Sequence, residues 1–463
     1  MATLPSALAL DVRDDLRACF VVERSAQLHA LVAWASGGGP PPLPAALRGV
    51  VLARSSFAEP AISRFGAEFL SSFPLAAAAA AAAASAAPGD GANANAAEAP
   101  PCLPGLAASS RAVGVCVTVV SRSFSPERHL TLAKALAEAY AAHGSGQHLQ
   151  ACWLSAFARG RVPRASAIFA GPLTALPPMP AAPEGCAWDG AAFDPSKSFR
   201  PTGARAVLAQ LGVEAVLVWT ALALRRRVAV VGRRHELARV VRAARVLALL
   251  VSHRLARTDG APGAPLAETP AAICWPYVAL SAHAFAAAAD EPERNAAANR
   301  LSLEGPLGAA FVRAVDEAAA AQAEDLRAAA TYVAGFTDPA ALARGGDLWD
   351  VLVELRPDGS AAVSVHEAAK ADFVMGPAHK EVARALLEAL ADPAGTDAGA
   401  VAAVAAKGAA LVDRLAAWFP RGVSSADPAA FFATTRANGV PKGATESFLF
   451  GFACAEPRLR LQA

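Results

Sequence analysis

The run VEAVLVWTALAL, residues 213–224, is followed at once by RRRVAVVG at 225–232 and then by ELARVVRAARVLALLV at 236–251. This order leaves few folds open. The central segment is apolar on both faces, so a strand there has to be covered on both sides. A strand that ends in glycine and feeds an amphipathic helix is the repeating unit of a parallel sheet. The apolar helix in front and the amphipathic helix behind supply the two covering layers. An α/β architecture with a parallel sheet is therefore expected around Arg227–Gly232.

More of this sheet is expected downstream. ICWPYVAL at 273–280 and TYVAGF at 331–336 read as strands, and 350–355 alternates so that Val351, Val353 and Leu355 share one face. Pro357-Asp358-Gly359 is a turn into a further strand, AAVSVHE. Between the strands, Asp338-Pro339 matches an N-cap and a first-turn proline, and Gly345-Gly346 ends the resulting helical turn. Asp-Pro recurs at 194, 338, 392 and 427, each where a helix can begin. Helices are expected at 203–211, over KEVARALLEALA, at 399–417, after Asp427-Pro428 and over TESFLFGFACAE.

The upstream part is different. ACFVVERSAQLHALVAW, 18–34, reads as two strands around a turn at Glu23–Gln27, GGGPPPLP is a loop, and 50–73 holds two more strands. AVGVCVTVV, 112–120, is a buried central strand, and Ser125-Pro126 opens a long helix that stops near Gly144. Alanine-rich, loop-forming sequence at 75–108 predicts a disordered insertion, and a second alanine-rich insertion occupies 284–330. The expected division is an N-terminal lobe over 1–158, a connection over 159–198 rich in Pro and Gly, and a C-terminal lobe over 199–463.

Composition narrows the function. A net charge of +2 on 463 residues provides no field for gripping nucleic acid. The seven cysteines are far apart and never form C-x-x-C, which points to a reducing compartment rather than to disulfides or zinc. The N-terminal MATLPSALALDVRDD meets acids early and lacks a basic region, and the run 213–224 is shorter than the ~18 residues of a membrane span. A soluble cytoplasmic protein is expected. Phosphate-loop, dinucleotide, zinc-protease, serine-hydrolase and EF-hand motifs are absent, so no catalytic residue, cofactor or metal site is predicted.

Three features carry two readings each. Gly232, with Arg233 and Arg234, either cradles a phosphate at a helix start or simply permits the turn. Arg225, Arg226 and Arg227 either cap the negative end of the preceding helix or form a patch for an acidic partner or anionic lipid. Trp34, Trp349 and Phe336 either fill cores or line a partner surface. Asp338 reads as a cap, Asp347 as a turn residue and Asp350 as the start of a strand; none has a nearby histidine or paired carboxylate for acid–base work.

TYVAGFTDPAALARGGDLWDVLVEL resembles paired strands late in the central module of the DENN domain family. LGVEAVLVWTALALRRRVAVVG resembles that module's earlier helix and strand, and ICWPYVAL its tryptophan–proline step. FSPERHLTLAKALAEAYAAHGS, GPAHKEVARALLEALADP and ATESFLFGFACAE look like stretches of a short member of the family. The resemblance covers 111–145 and most of 199–463 outside the alanine insertions, and only loosely 1–75. It implies a bilobed DENN architecture, with an N-terminal longin-like α/β lobe and a C-terminal α/β lobe carrying extra helices. It further implies binding of a Rab-type small GTPase between the lobes and promotion of GDP release, which needs no covalent chemistry. An alternative is a non-catalytic scaffold docked on the coiled-coil and COMMD subunits of a Commander-type assembly. Either role implies peripheral association with late endosomal membrane. Trp34, Arg225–Arg227, Trp349 and Asp350 are the candidate partner contacts. A nucleotide-binding α/β enzyme is the remote third reading.

Overall fold

A computed structural model describes residues 15–25, 30–37, 51, 60–65, 68–76, 112–122, 125–143, 146–164, 186–193, 202–233, 236–254, 273–278, 317, 319–337, 339, 342 and 347–460. Both predicted insertions fall mostly outside these residues, as do Asp194, Asp338 and Gly345–Gly346. The chain is mixed α/β and divides into two compact units, Met1–Ser198 with Ala279–Gln322, and Phe199–Val278 with Ala323–Ala463.

The first unit holds strands β1 (Leu16–Ser25), β2 (Ala30–Gly37), β3 (Ala61–Phe65), β4 (Glu68–Ala76) and β5 (Ala112–Ser121). They form one antiparallel sheet in the order β2-β1-β5-β4-β3, so β5 is central, as its two apolar faces require. The first hairpin differs from expectation. β1 continues through Glu23, Arg24 and Ser25, because these residues pair with Leu31 and Ala30 on one side and Val115, Gly114 and Ala112 on the other. Pairing on both edges outweighs the polar side chains that suggested a turn.

Helix α1 (Pro126–His143) follows β5, with the Ser125 carbonyl accepting from His129 N–H. Its Leu132, Leu136 and Tyr140 pack with Leu149, Cys152 and Trp153 of α2 (Gly146–Arg159) onto Cys19, Val21, Val117 and Val119 of the sheet. Each such aliphatic side chain contributes roughly 1.5–3 kcal/mol by leaving water. Within the span read as a connection, β6 (Arg161–Pro163) and β7 (Cys186–Asp189) pair antiparallel, and Trp188 joins the same core.

The second unit opens with α3 (Ala204–Leu211) and α4 (Ala215–Ala223), separated by a 3-10 turn at Gly212–Glu214. Taken as one stretch, Ala204–Ala223 reaches the length and hydropathy of a membrane span, which 213–224 alone does not. Every residue of α4 except Leu217 is nevertheless buried inside the unit. Then come β8 (Arg227–Val231), α5 (Leu237–Ala248), β9 (Cys274–Val278), β10 (Tyr332–Phe336), β11 (Val351–Leu355) and β12 (Ala361–Val365). The sheet order is β12-β11-β8-β10-β9, parallel except for β12. β8 is the centre, and Val228, Ala229, Val230 and Val231 are all buried.

Two glycines let α5 approach this sheet. A Cβ on Gly335 would stand 2.3 Å from the Pro276 carbonyl oxygen and 2.8 Å from Val240, and one on Gly232 would stand 2.7 Å from Val240. Helices α6 (Pro377–Ala391), α7 (Asp397–Trp418), α8 (Pro428–Ala437) and α9 (Ala444–Ala455) complete the unit. Asp427 caps α8 as expected, its carboxylate accepting from Ala430 N–H at 3.0 Å. Asp392 does not start a helix. It ends α6, and α7 starts at Thr396, whose hydroxyl accepts from Gly399 N–H at 3.0 Å.

Candidate functional site

The amino ends of the parallel strands gather most of the polar residues singled out in the sequence. Helix α4 ends by a Schellman closure: Arg226 N–H reaches back to Ala221 C=O at 2.7 Å and Arg225 N–H to Leu222 C=O at 3.1 Å. This places Arg225 at φ 57°, the left-handed position usually given to glycine. The capping function expected of the triplet is thus performed partly by its backbone.

The side chains of the next two arginines meet acids. Arg227, the first residue of β8, directs Nε to Asp350 Oδ2 at 3.2 Å and Nη2 to Oδ1 at 3.3 Å. Its backbone N–H donates to the same carboxylate at 2.8 Å, and Asp350 N–H returns a bond to Arg227 C=O at 2.9 Å. Burial opposes charge on Asp350, yet the bonds and charge of Arg227 outweigh it and hold the carboxyl below its ordinary range. Burial likewise works against the Arg227 charge, and Asp350 more than restores it. Arg227 also donates to the Asp347 carbonyl, Arg226 pairs with Asp372, and Arg327 Nε reaches Asp347 Oδ2 at 2.7 Å. The sequence marked Arg227 and Asp350 separately; the fold joins them. Arg327 and Asp372 went unmarked, because their partners lie 20 and 146 residues away.

Trp349 is half-buried beside this network, edge-on to His366 with ring centroids 5.3 Å apart. Its Nε1–H is buried and meets no acceptor among the described residues. The Tyr332 hydroxyl, beside Arg227 in the strand register, is in the same position, and burial raises its pKa. Phe336 is fully buried and is a core residue, so the partner-surface reading does not hold for it. Trp34 lies on β2 opposite Val21.

The carboxyl ends of the strands are where open parallel sheets bind ligands, between neighbours whose connections leave in opposite directions. Here β8 leads two places one way to β9 and β10 leads two places back to β11, so that point lies at Gly232 and Thr337. Two of its amides are already used. Gly232 N–H donates to Phe336 C=O at 3.1 Å, and Arg233 N–H donates to the Glu236 carboxylate at 3.1 Å. A carboxylate stands where the phosphate reading requires the ligand's anion. That geometry favours the turn reading of Gly232.

The first unit contains a serine–histidine–aspartate chain that the sequence did not reveal. Asp15 Oδ2 lies 2.9 Å from His129 Nε2, and His129 Nδ1 lies 3.0 Å from Ser121 Oγ. A carboxylate only accepts, so Nε2–H donates to Asp15 and Nδ1 is left to accept from the serine hydroxyl. That order opposes a hydrolase triad, where the carboxylate holds Nδ1. All three residues are at most 1% exposed, so the chain clamps β1, β5 and α1 together.

No family model matches the chain. It is 25% identical over 346 residues to DENN domain-containing protein 10 of Dictyostelium discoideum, spanning 75% of this chain and 74% of that protein. It is 24% identical over 345 residues to the zebrafish (Danio rerio) protein of the same name, and 21% identical over 345 residues to the human one. The similarity is distant and consistent across the three, and it bears out the resemblance read from the sequence.

Proposed function

We propose that this chain, a distant relative of DENN domain-containing protein 10, is a DENN-type regulator of Rab GTPases that promotes exchange of their guanine nucleotide. The observation that carries this reading is the similarity over three quarters of the chain and of the relatives' own lengths. The proposed architecture is the family's bilobed one, with a longin-like first lobe. Exchange of this kind needs no nucleophile. It needs a surface that binds the partner's switch segments more tightly in the form that holds nucleotide badly. The buried Ser121–His129–Asp15 chain and the self-capped strand ends at Gly232 are consistent with a protein that works by docking.

Among the candidate contacts, Arg226 and Arg227 are engaged by Asp372 and Asp350, whereas Trp349 keeps part of its ring exposed. The aromatic residue is therefore the better anchor for a partner. The reading carries with it a cytoplasmic protein held peripherally on late endosomes. The test is release of a fluorescent GDP analogue from a panel of purified Rab proteins. Acceleration is expected for at least one, with Trp349→Ala lowering it about tenfold, the scale of one hot-spot side chain. Release unchanged for every Rab would overturn the exchange reading. Co-purification with a coiled-coil endosomal complex in that case would favour the scaffold role.

A further inference from the structure

Asn438-Gly439 is the one asparagine–glycine step in the sequence; the other four asparagines precede alanine or arginine. In this pairing a backbone nitrogen readily attacks the side chain before it, because glycine has no Cβ to shield its own amide. The step lies at the end of α8. Asn438 is the C-cap, and Gly439 stands at φ 82°, the left-handed position. Gly439 N–H donates to Arg436 C=O at 2.9 Å and Val440 N–H to Thr435 C=O at 3.0 Å, which is a Schellman closure. Asn438 Nδ2 donates to Thr434 C=O at 2.9 Å.

This closure holds the two reacting atoms apart. Asn438 has ψ 17°, and the Gly439 peptide must rotate far from that value before its nitrogen faces Cγ. The same rotation breaks the bonds of the closure. It uncovers little else, because Arg436, Ala437, Asn438 and Gly439 are already exposed, and Phe431 and Thr435 are the buried residues of α8. Segments with so few buried contacts open at low free energy. A further tie is the two-pronged pair of Arg436 Nε and Nη2 with the Glu446 carboxylate of α9, at 2.6 and 3.1 Å. The gate is thus a single helical turn in contact with solvent.

We propose that Asn438 is a site of self-modification: opening of the last turn of α8 lets the chain convert this residue to aspartate and isoaspartate. Solvent hydroxide removes the Gly439 amide proton, and the nitrogen attacks Asn438 Cγ. The new C–N bond closes a succinimide ring, the Cγ–Nδ2 bond breaks, and Nδ2 leaves as ammonia with a proton from water. Water then adds to one of the two ring carbonyls. Attack at Cγ gives aspartate; attack at the backbone carbonyl gives isoaspartate, whose main chain runs through Cβ. Nothing is oxidised or reduced. Either product replaces the Nδ2–H donor by a carboxylate beside the carbonyls that end α8, where the helix dipole disfavours an anion. The conversion is therefore one-way and loosens the junction of α8 with α9. The inference does not rest on nucleotide exchange and fails or stands separately from it.

The test is ageing of the folded full chain in mildly alkaline heavy-oxygen water, beside the peptide acetyl-Arg-Ala-Asn-Gly-Val-Pro-Lys-amide, whose sequence is that of 436–442. Peptide mapping and mass spectrometry read the products at Asn438. The folded chain is expected to form both products about tenfold more slowly than the peptide, the factor that an opening cost of about 1.4 kcal/mol imposes. Unfolding in urea should raise the rate to that of the peptide. Arg436→Gln, which unties the turn from Glu446, should narrow the gap, and Asn438→Gln should abolish the products. Asn438→Asp supplies the product in advance and should speed hydrogen exchange at the Gly439 and Val440 amides while leaving those of β8 unchanged. The comparison of folded chain with peptide needs no variant. Equal rates for the two, or a folded chain that forms no product while the peptide is consumed, overturn the site. Unchanged exchange in Asn438→Asp overturns the loosening.

Discussion

At the scale of single residues, the structure separates side chains that hold the fold from those left to act. Arg225 occupies a backbone conformation that costs a non-glycine residue about 1–2 kcal/mol. His379 makes the opposite case. Its Nδ1 accepts from Gly376 N–H at 2.9 Å, its ring packs 4.3 Å from Phe448, and burial pushes its pKa down to about 4. The unfolded chain takes up this proton first as pH falls, near the ordinary value of 6.5. Stability from this group is therefore full above that value and declines between pH 6.5 and 4, by up to about 3 kcal/mol. Urea titrations at pH 7 and 4.5 should show the decline, and His379→Gln should reduce it.

At the scale of elements, the legible features were those with a short period. The alternation Val351, Val353, Leu355 and the apolar run Val228–Val231 specified β11 and β8, because burial repeats along one strand and pairing with neighbours only reinforces it. Asp392 shows where local reading stops. Arg205 gathers the carbonyls of Ala389, Leu390 and Asp392, while Asp397 caps the backbone of Gly203 and Arg205. These partners lie 184 to 194 residues apart, so no local signal announces that the next helix begins at Asp397 and not at Asp392. Two predictions belong here. Gly335→Ala should cost about 1–3 kcal/mol by overpacking against Pro276 and Val240, measured by thermal unfolding. On the edge strand β12, the Glu214 carboxylate accepts from Val363 N–H at 2.9 Å. Exposed strand edges recruit other chains, so Glu214→Ala should self-associate with rising concentration in light scattering, while the parent chain should not.

For the whole molecule, the candidate site was legible as a list of residues and not as an arrangement. Arg227 and Asp350 stood out by charge, yet 123 residues separate them, and only parallel pairing of β8 with β11 makes them neighbours. The same distance problem hid Asp15 from His129, 114 residues away. The second unit has one more long-range tie. Arg254 donates to the Leu222 and Ala223 carbonyls and meets Glu456 Oε2 at 3.2 Å, with both side chains at most 3% exposed. Burial raises the Glu456 carboxyl, but His253, Arg254 and Arg458 outweigh it and bring it down to about 2. Glu456→Gln strands a buried guanidinium and should cost about 3–5 kcal/mol in denaturant unfolding.

That ion pair also has a consequence for how the chain is made. Arg254 leaves the ribosome two hundred residues before Glu456 does. Throughout that interval the end of α4 is capped by a cation lacking its counter-charge, and β8 waits for the flanking strands β10 and β11. The second unit thus completes its fold only once Glu456 has emerged. Nascent chains stalled short of residue 456 should remain open to protease long after the first sheet has become resistant.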